Sequence, residues 1–245
     1  MSEMRTLILT GASRGIGHAT AIKFKDAGWR VITCSRQSFP GGICPWGAGP
    51  EDHIEVDLSD PEGLAVTIEE MRKRLTDGRV HALVNNAAVS PKADDGHRLG
   101  IRDTRLSAWH HVMQVNFYAP LMLARGLASE LAAGGGSVVN VTSIAGGRVH
   151  RFAGPAYATS KAALAALTRE MAAEFGPDGI RVNAIAPGEI DTPMLSPGSD
   201  EIIRAIPVGR MGEPGEVADT IYFLCTDASR YINGAEIHVN GGQHV

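Results

Sequence analysis

Short apolar runs alternate along this chain with longer stretches of mixed apolar and polar residues. A short continuous apolar run is typical of a parallel strand that is buried on both faces. The runs predict seven strands, at residues 6–10, 29–34, 54–56, 80–84, 137–142, 180–185 and 236–239. The intervening stretches favour helices at residues 18–27, from about 61, at 106–131, at 156–175 and at 213–225.

This alternation predicts one α/β domain over residues 1–245, a Rossmann-like doubly wound parallel sheet of about seven strands with helices on both faces. The Gly- and Pro-rich residues 39–50 indicate a surface loop, or a segment packed near the adenosine end of a ligand. Residues 91–105 are polar and are predicted to form a loop, and residues 198–206 form a short polar segment.

Composition narrows the functional classes. The 245 residues carry a net charge of −4, which gives no electrostatic case for binding nucleic acid or an anionic membrane. The three cysteines, Cys34, Cys44 and Cys225, are widely spaced, a pattern that fits a reducing compartment and no zinc or other metal site. With no signal-like N-terminus and no apolar run near about 20 residues, we expect a cytoplasmic, non-membrane protein.

A glycine-rich turn follows the first predicted strand, in the order Gly11-Ala12-Ser13-Arg14-Gly15-Ile16-Gly17. Glycines let the backbone approach a pyrophosphate, and the N-terminus of the following helix offers free N–H groups. The strand–turn–helix context favours a dinucleotide site over a turn with no ligand. In such sheets ligands bind beyond the carboxyl ends of the strands, where Gly11, Asp57, Asn85, Ser143 and Pro187 all fall.

Residues after the second and third strands bear on the choice of dinucleotide. Ser35 and Arg36 stand where an acidic residue would bind a free ribose hydroxyl, and a guanidinium suits a 2′-phosphate. Arg14 adds a second positive charge, so the sequence favours NADP(H) over NAD(H), unless the arginines point into water. Asp57, next to Leu58, could accept a hydrogen bond from the adenine amino group or instead cap the helix near residue 61.

Tyr157 and Lys161 are i,i+4 neighbours on a predicted helix and therefore share one face. A nearby ammonium favours the phenolate and lowers the pKa of a phenol. Ser143, at the end of the fifth strand, could hydrogen-bond a substrate oxygen or the phenolate. The trio suits proton transfer at an alcohol or carbonyl oxygen; the alternative for the pair alone is a solvated helix face.

Taken together and in order, these motifs make the chain resemble a short-chain dehydrogenase/reductase almost end to end. The residues that carry the resemblance are Thr10-Gly11-x-x-x-Gly15-Ile16-Gly17, Asn85-Asn86-Ala87, Asn116, Ser143, Tyr157, Lys161 and Pro187-Gly188-x-Ile190-x-Thr192. The tail from Pro207-Val208-Gly209-Arg210 to Asn240-Gly241-Gly242 is similar to the branch that contains 3-oxoacyl-carrier-protein reductases.

The resemblance implies a role for each catalytic residue. Tyr157 would be the general acid in reduction and the base in oxidation, while hydride passes between nicotinamide C4 and the carbinol carbon. Lys161 would hold the nicotinamide ribose and lower the pKa of the tyrosine, Ser143 would position the substrate oxygen, and Asn116 would hold a water that links Lys161 to solvent. A mid-helix asparagine that only faces solvent is the alternative for Asn116.

The expected cofactor contacts form a larger set. They are Gly11, Ser13, Arg14, Gly15, Ile16, Gly17, Ser35, Arg36, Asp57, Leu58, Asn85, Ala87, Tyr157, Lys161, Pro187, Gly188, Ile190 and Thr192.

The chain departs from the family pattern in three places. Ala88 replaces the glycine that usually closes the Asn-Asn-Ala-Gly motif, which crowds the cofactor slightly, and the connection from Ser143 to Tyr157 is longer than in many relatives. Glu189 follows Pro187-Gly188, where relatives often have an apolar or aromatic residue. With His150 or Arg151 it indicates a polar, sugar-like or hydroxy-acid substrate, unless the three only pair with each other or with solvent.

The sequence thus predicts an NADP(H)-dependent oxidoreductase that acts on a small-molecule alcohol or ketone. The same chemistry with NAD(H) is the nearest alternative. A non-catalytic dinucleotide-binding regulator and a self-associating scaffold are alternatives from other classes, but this chain keeps the full set Asn116, Ser143, Tyr157 and Lys161. By resemblance we also expect a homo-oligomer, a tetramer or a dimer.

Overall fold

Seven parallel strands form one sheet in the computed structural model, which describes residues 4–36, 49–192 and 203–245. The strands are β1 Thr6–Thr10, β2 Arg30–Ser35, β3 His53–Glu55, β4 Ala82–Asn85, β5 Ser137–Val141, β6 Arg181–Pro187 and β7 Glu236–Val239. Their order, β3-β2-β1-β4-β5-β6-β7, confirms the predicted doubly wound fold. The strand order reverses between β1 and β4, which opens a crevice at their carboxyl ends.

Helices cover both faces of the sheet. They are α1 Gly15–Asp26, α2 Pro61–Arg74, α3 Leu106–Met113, α4 Ala119–Gly126, α5 Ala128–Gly134, α6 Ile144–Gly147, α7 Pro155–Phe175 and α8 Pro214–Leu224. No helix in the described ranges is both long and apolar enough to cross a membrane.

The alternation of side chains along each strand divides the core in two. Leu7 and Leu9 of β1 pack on the α1 and α8 side, together with Phe24 and Ile221. Ile8, between them, faces the side of α2, α4 and α7. Because successive side chains of a strand point to opposite faces, a continuous apolar run supplies both layers.

The prediction of a single helix over residues 106–131 is wrong in detail. A π-helical turn, Gln114–Tyr118, separates α3 from α4, and α5 begins after Gly126. Pro120 has no N–H to donate to the carbonyl of Asn116, and its ring would crowd that carbonyl in a regular helix. A wider turn accommodates the proline, and Asn116 lies within that turn.

Two sequence predictions fall mostly outside the described residues. They are the surface loop at 39–50, of which only residues 49 and 50 are described, and the polar segment at 198–206, of which residues 203–206 are described.

Candidate active site

One cleft of about 560 Å³ opens beyond the carboxyl ends of the strands. It brings together residues from the glycine turn, from the ends of β2, β4, β5 and β6, and from α7. The predicted site residues that line it are Gly11, Ser13, Arg14, Gly15, Ile16, Ser35, Arg36, Asp57, Leu58, Ala87, Ser143, His150, Tyr157, Lys161, Pro187, Gly188, Glu189, Ile190 and Thr192. Four predicted residues, Gly17, Asn85, Asn116 and Arg151, are not among the lining residues.

The glycine turn lies tightly against the end of β4. Gly11 has a φ of 71°, and a Cβ added to it would lie 2.8 Å from the Cα of Ala87. Gly17 is buried against the turn itself, since an added Cβ would lie 2.1 Å from the carbonyl oxygen of Gly11. Gly17 therefore permits the close packing of α1 on the turn and does not line the cleft.

The N-terminus of α1 fits a phosphate group. Its N-cap residue, Arg14, makes no side-chain capping hydrogen bond, and the first turn contains no acidic residue. Free N–H groups and the positive end of the helix dipole remain available there, beside the exposed Arg14. The turn thus has the chemistry that a dinucleotide pyrophosphate requires.

Asp57 follows β3 and Arg36 follows β2, and both line the cleft. Its Oδ1 accepts hydrogen bonds from the backbone N (2.9 Å) and the Oγ (2.7 Å) of Ser59. These hydrogen bonds, and to a smaller extent the charge of Arg36, lower the pKa of Asp57. The alternative that Asp57 caps α2 is wrong, because the carboxylate of Asp60 accepts from the backbone N of Glu62 at that helix N-terminus.

Of the two asparagines at the end of β4, Asn86 lines the cleft and Asn85 does not. Asn85 is buried, and its Nδ2 donates to Oδ1 of Asn140 at 2.8 Å. The Nδ2 of Asn86 donates to the carbonyl oxygens of Thr10 (3.1 Å) and Gly11 (3.0 Å). Neighbouring residues of a strand point to opposite sides, so only one of the two reaches the glycine turn.

Tyr157 and Lys161 share one face of α7, as predicted. The Nζ of Lys161 lies 5.7 Å from the centroid of the Tyr157 ring. Only 2% of Lys161 is exposed, and its Nζ donates a 2.6 Å hydrogen bond to the carbonyl oxygen of Val141. Burial lowers the pKa of Lys161 to about 7, because the charged form loses its hydration.

The pKa of Tyr157 is raised above its ordinary value, which corrects the expectation of a lowered pKa. Burial is the largest cause, a hydrogen bond with Ser143 opposes it, and the charge of Glu189 adds to it. Desolvation of the phenolate thus exceeds the stabilisation that this protein environment supplies. Ser143 also accepts a hydrogen bond at Oγ from the backbone N of Ala145, at 3.1 Å, which fixes its side chain.

Asn116 is fully buried, so the solvent-facing alternative is wrong. Its Oδ1 accepts from the backbone N of Val89 (2.9 Å), and its Nδ2 donates to the carbonyl oxygen of Val89 and to Oγ of Ser160, both at 3.0 Å. These bonds join the segment after β4 to the helix that carries Tyr157. No contact of this side chain tests the predicted water link.

Of the three ionisable residues that the sequence assigned to a substrate pocket, His150 and Glu189 line the cleft. The Nε2 of His150 lies 2.9 Å from Oε1 of Glu189, so these two residues pair with each other as well as line the cleft. Arg151 does not line the cleft; its guanidinium lies 5.6 Å from the centroid of the Phe152 ring.

Lys92 lines the cleft and was missed. Within the polar residues 91–105, the sequence does not distinguish a residue that lines the cleft from its solvated neighbours.

Sequence reasoning also missed other parts of the cleft wall. These residues are Cys34, Val56, Val89, Ser90, His111, Val115, Val141, Thr142, Phe152 and Ala153. For Val89 and Ser90, the position shortly after β4 was the one available signal, because chain segments that leave a strand end border this crevice. Among the described residues, no group of three or more His, Cys, Asp or Glu side chains could hold a metal ion.

Comparison with known proteins gives consistent matches over nearly the whole chain. A sequence model of the family described as "Enoyl-(Acyl carrier protein) reductase" matches residues 11–244. Protein FixR of Bradyrhizobium diazoefficiens is 57% identical over 99% of this chain and 88% of its own length. The 3-oxoacyl-[acyl-carrier-protein] reductase FabG of Aquifex aeolicus is 35% identical over 96% of this chain and 95% of its own length.

A solved structure agrees with these matches. An oxidoreductase of the short chain dehydrogenase/reductase family from Brucella ovis, in complex with a partially ordered NAD, is 60% identical to this chain. It superposes with a TM-score of 0.84 over 97% of this chain and 100% of its own.

Proposed function

The chain belongs to the short-chain dehydrogenase/reductase family, and we propose that it is an NADP(H)-dependent oxidoreductase that interconverts a secondary alcohol and its carbonyl compound. One observation carries the proposal: Ser143, Tyr157 and Lys161 line the same cleft as the glycine turn. Transfer of a hydride and a proton to one substrate requires a dinucleotide site and a proton donor that face the same cavity.

The described residues suit a nicotinamide dinucleotide along the length of the cleft. The glycine turn and the N-terminus of α1 would hold the pyrophosphate, and Arg36 and Asp57 would lie at the adenosine end. Lys161 and the segment from Pro187 to Thr192 would hold the nicotinamide end. The nicotinamide, when bound, supplies or accepts the hydride.

Tyr157 would donate the proton in the reductive direction. Its raised pKa keeps the phenol protonated at neutral pH, which suits a general acid. The hydrogen bond with Ser143 orients the phenol and leaves the serine hydroxyl beside the position of a substrate oxygen. With a pKa of about 7, Lys161 is partly charged at neutral pH and can stabilise the phenolate that remains after proton transfer.

The preference for NADP(H) rests on Arg14 and Arg36. Both are exposed at the cleft, and neither forms an ion pair with a carboxylate in the part of the chain that the structure describes. Two guanidinium groups near the adenosine ribose would favour a 2′-phosphate. NAD(H) is the second candidate, because the Brucella ovis oxidoreductase with 60% identity was crystallised with NAD.

A non-catalytic regulator would not need a buried lysine beside a tyrosine, so the enzyme is the better-supported function. A small-molecule alcohol or ketone is the proposed substrate, and a homo-oligomer, as a tetramer or a dimer, is the proposed assembly.

A screen of the purified protein with ketones, alcohols, sugars and hydroxy acids tests the proposal, with nicotinamide absorbance as the readout. We expect turnover with at least one carbonyl compound and a higher kcat/KM with NADPH than with NADH. Preference for NADH would overturn the cofactor assignment alone. Tight binding of either dinucleotide without turnover of any compound would overturn the enzymatic assignment in favour of a regulator.

A further inference from the structure

Three ionisable side chains from separate segments meet at the Tyr157 end of the cleft. Lys92 follows β4, His150 follows α6 and Glu189 follows β6, and all three line the cavity. The side chains of His150 and Glu189 are only 16% and 11% exposed. Charged groups are rarely buried to this extent unless a partner or a ligand compensates them.

Two contacts hold the ring of His150. Its Nδ1 accepts a hydrogen bond from the backbone N of Phe152 at 3.3 Å. Its Nε2 lies 2.9 Å from Oε1 of Glu189. The ring of His150 therefore orients the Glu189 carboxylate.

Lys92 lines the same part of the cavity wall as Glu189 and His150. Its Nζ donates to the carbonyl oxygen of Phe152, which joins the segment after β4 to the loop that carries His150. Burial lowers the pKa of Lys92, and the charge of Glu189 raises it in opposition. The wall thus combines an amine, a carboxylate and an imidazole from three separate segments of the chain.

Two hydrogen bonds fix the backbone of Glu189. Its N donates to Oε1 of Gln243 at 2.9 Å, and its carbonyl oxygen accepts from the N of Gly212 at 3.0 Å. The carboxylate lines the same cleft as Tyr157, and its charge adds to the raised pKa of that phenol. A fixed acceptor near the phenol favours substrates with a hydrogen-bond donor next to the reacting carbon.

We propose that the Glu189, His150 and Lys92 side chains select a neutral polyhydroxylated substrate, with Glu189 accepting a hydrogen bond from the hydroxyl on the carbon next to the reacting one. This inference rests on the proposed oxidoreductase function and specifies its substrate class. Vicinal hydroxyls offer donors to the carboxylate and acceptors to the ammonium, and these two opposite charges favour a neutral ligand over an ion.

Two other substrate classes fit this wall less well. An apolar acyl chain would bury Glu189 and Lys92 without replacing their hydration, which is costly. A hydroxy-acid carboxylate would gain from Lys92 but would be repelled by Glu189, whose charge acts on the phenol of Tyr157.

The matched ketones acetoin and butanone test the assignment, because they differ by one hydroxyl beside the carbonyl. In the wild-type protein we expect kcat/KM with NADPH to be at least about tenfold higher for acetoin. Glu189→Gln keeps the size of the side chain and removes its charge, so it should lower the ratio of acetoin to butanone by about tenfold. Glu170→Gln, an exposed change on α7, is the matched control and should keep the wild-type ratio.

The outcomes separate the two proposals. Turnover of both ketones with butanone equal to or better than acetoin overturns the substrate assignment and leaves the oxidoreductase intact. An unchanged ratio in a Glu189→Gln protein that still binds NADPH also overturns it. If that variant does not fold, the wild-type ratio alone decides. If no carbonyl compound is reduced, although NADPH binds, both proposals fail.

Discussion

The Nζ of Lys161 lies 5.7 Å from the centroid of the Tyr157 ring and donates a hydrogen bond to the carbonyl oxygen of Val141. The Nζ is therefore fixed between α7 and the end of β5, beside the phenol. Its position connects the chemistry of the site to the packing of the fold, since the same burial lowers the pKa of Lys161 and raises that of Tyr157.

Removal of the phenol hydroxyl should abolish turnover and leave cofactor binding intact. Tyr157→Phe keeps the partly buried ring but removes the proposed proton donor, so kcat should fall by about 100- to 10,000-fold. Steady-state kinetics and NADPH fluorescence titration measure the two effects. Tyr231→Phe, at a fully exposed tyrosine, is the control. Substantial activity in Tyr157→Phe would mean that another group transfers the proton.

Arg36→Ala should reduce the preference for NADPH. We expect the ratio of kcat/KM for NADPH to that for NADH to fall by about tenfold or more, because one charge-assisted contact to the 2′-phosphate is lost. Arg125→Ala, an exposed change on α4, is the matched control. An equal loss with both cofactors would show that Arg36 does not contact the 2′-phosphate.

Burial of Lys161 should make folding stability depend on pH. The pKa of this lysine is about 7 in the folded chain and 10.5 in an ordinary environment, so the unfolded chain binds more protons above pH 7. The free energy of unfolding should therefore rise with pH from this group. The buried thiols of Cys34 and Cys225, with pKa values raised from 9.0 to about 12, oppose that rise above pH 9.

Urea denaturation at pH 7 and pH 9 measures this effect. The gain in unfolding free energy between the two values should be smaller in Lys161→Met than in the wild type. Lys73→Met, at an exposed lysine of α2, should retain the wild-type gain. The same gain in all three proteins would mean that the pKa of Lys161 is not lowered.

Gly17→Ala should destabilise the glycine turn. The added Cβ would lie 2.1 Å from the carbonyl oxygen of Gly11 and 2.5 Å from Nδ2 of Asn86, so the backbone of the turn must move. We expect a loss of about 1–3 kcal/mol in unfolding free energy and weaker dinucleotide binding. Gly215→Ala, in α8 with no atom within 4 Å of the added Cβ, is the control. Wild-type stability in Gly17→Ala would contradict the packing described.

The sequence predicted the sheet well because strands buried on both faces need continuous apolar runs. Residues 6–10 and 236–239 match β1 and β7, and the other strands differ from their predictions by a few residues at their ends. The long helix at 106–131 was predicted less well. Composition favours a helix there. Pro120, however, has no N–H to donate within the helix, and a π-helical turn interrupts the regular turns before it.

Side-chain direction was the harder part of the site. A motif places both Asn85 and Asn86 at a strand end, but the pleat sends Asn85 into the core, where it meets Asn140. Asn116 likewise joins two segments inside the protein. Lys92 lies in a polar stretch whose composition matches a solvated loop, and only folding brings it to the wall that carries Glu189.

The sequence by itself determined the fold class, the glycine turn and the spacing of Tyr157 and Lys161, because these depend on local periodicity and on residues near each other along the chain. The tertiary structure alone decided which side chains enter the cleft, that His150 pairs with Glu189, and how burial changes the pKa values of Tyr157 and Lys161. Those properties depend on desolvation and on contacts between segments far apart in sequence, which no local pattern encodes.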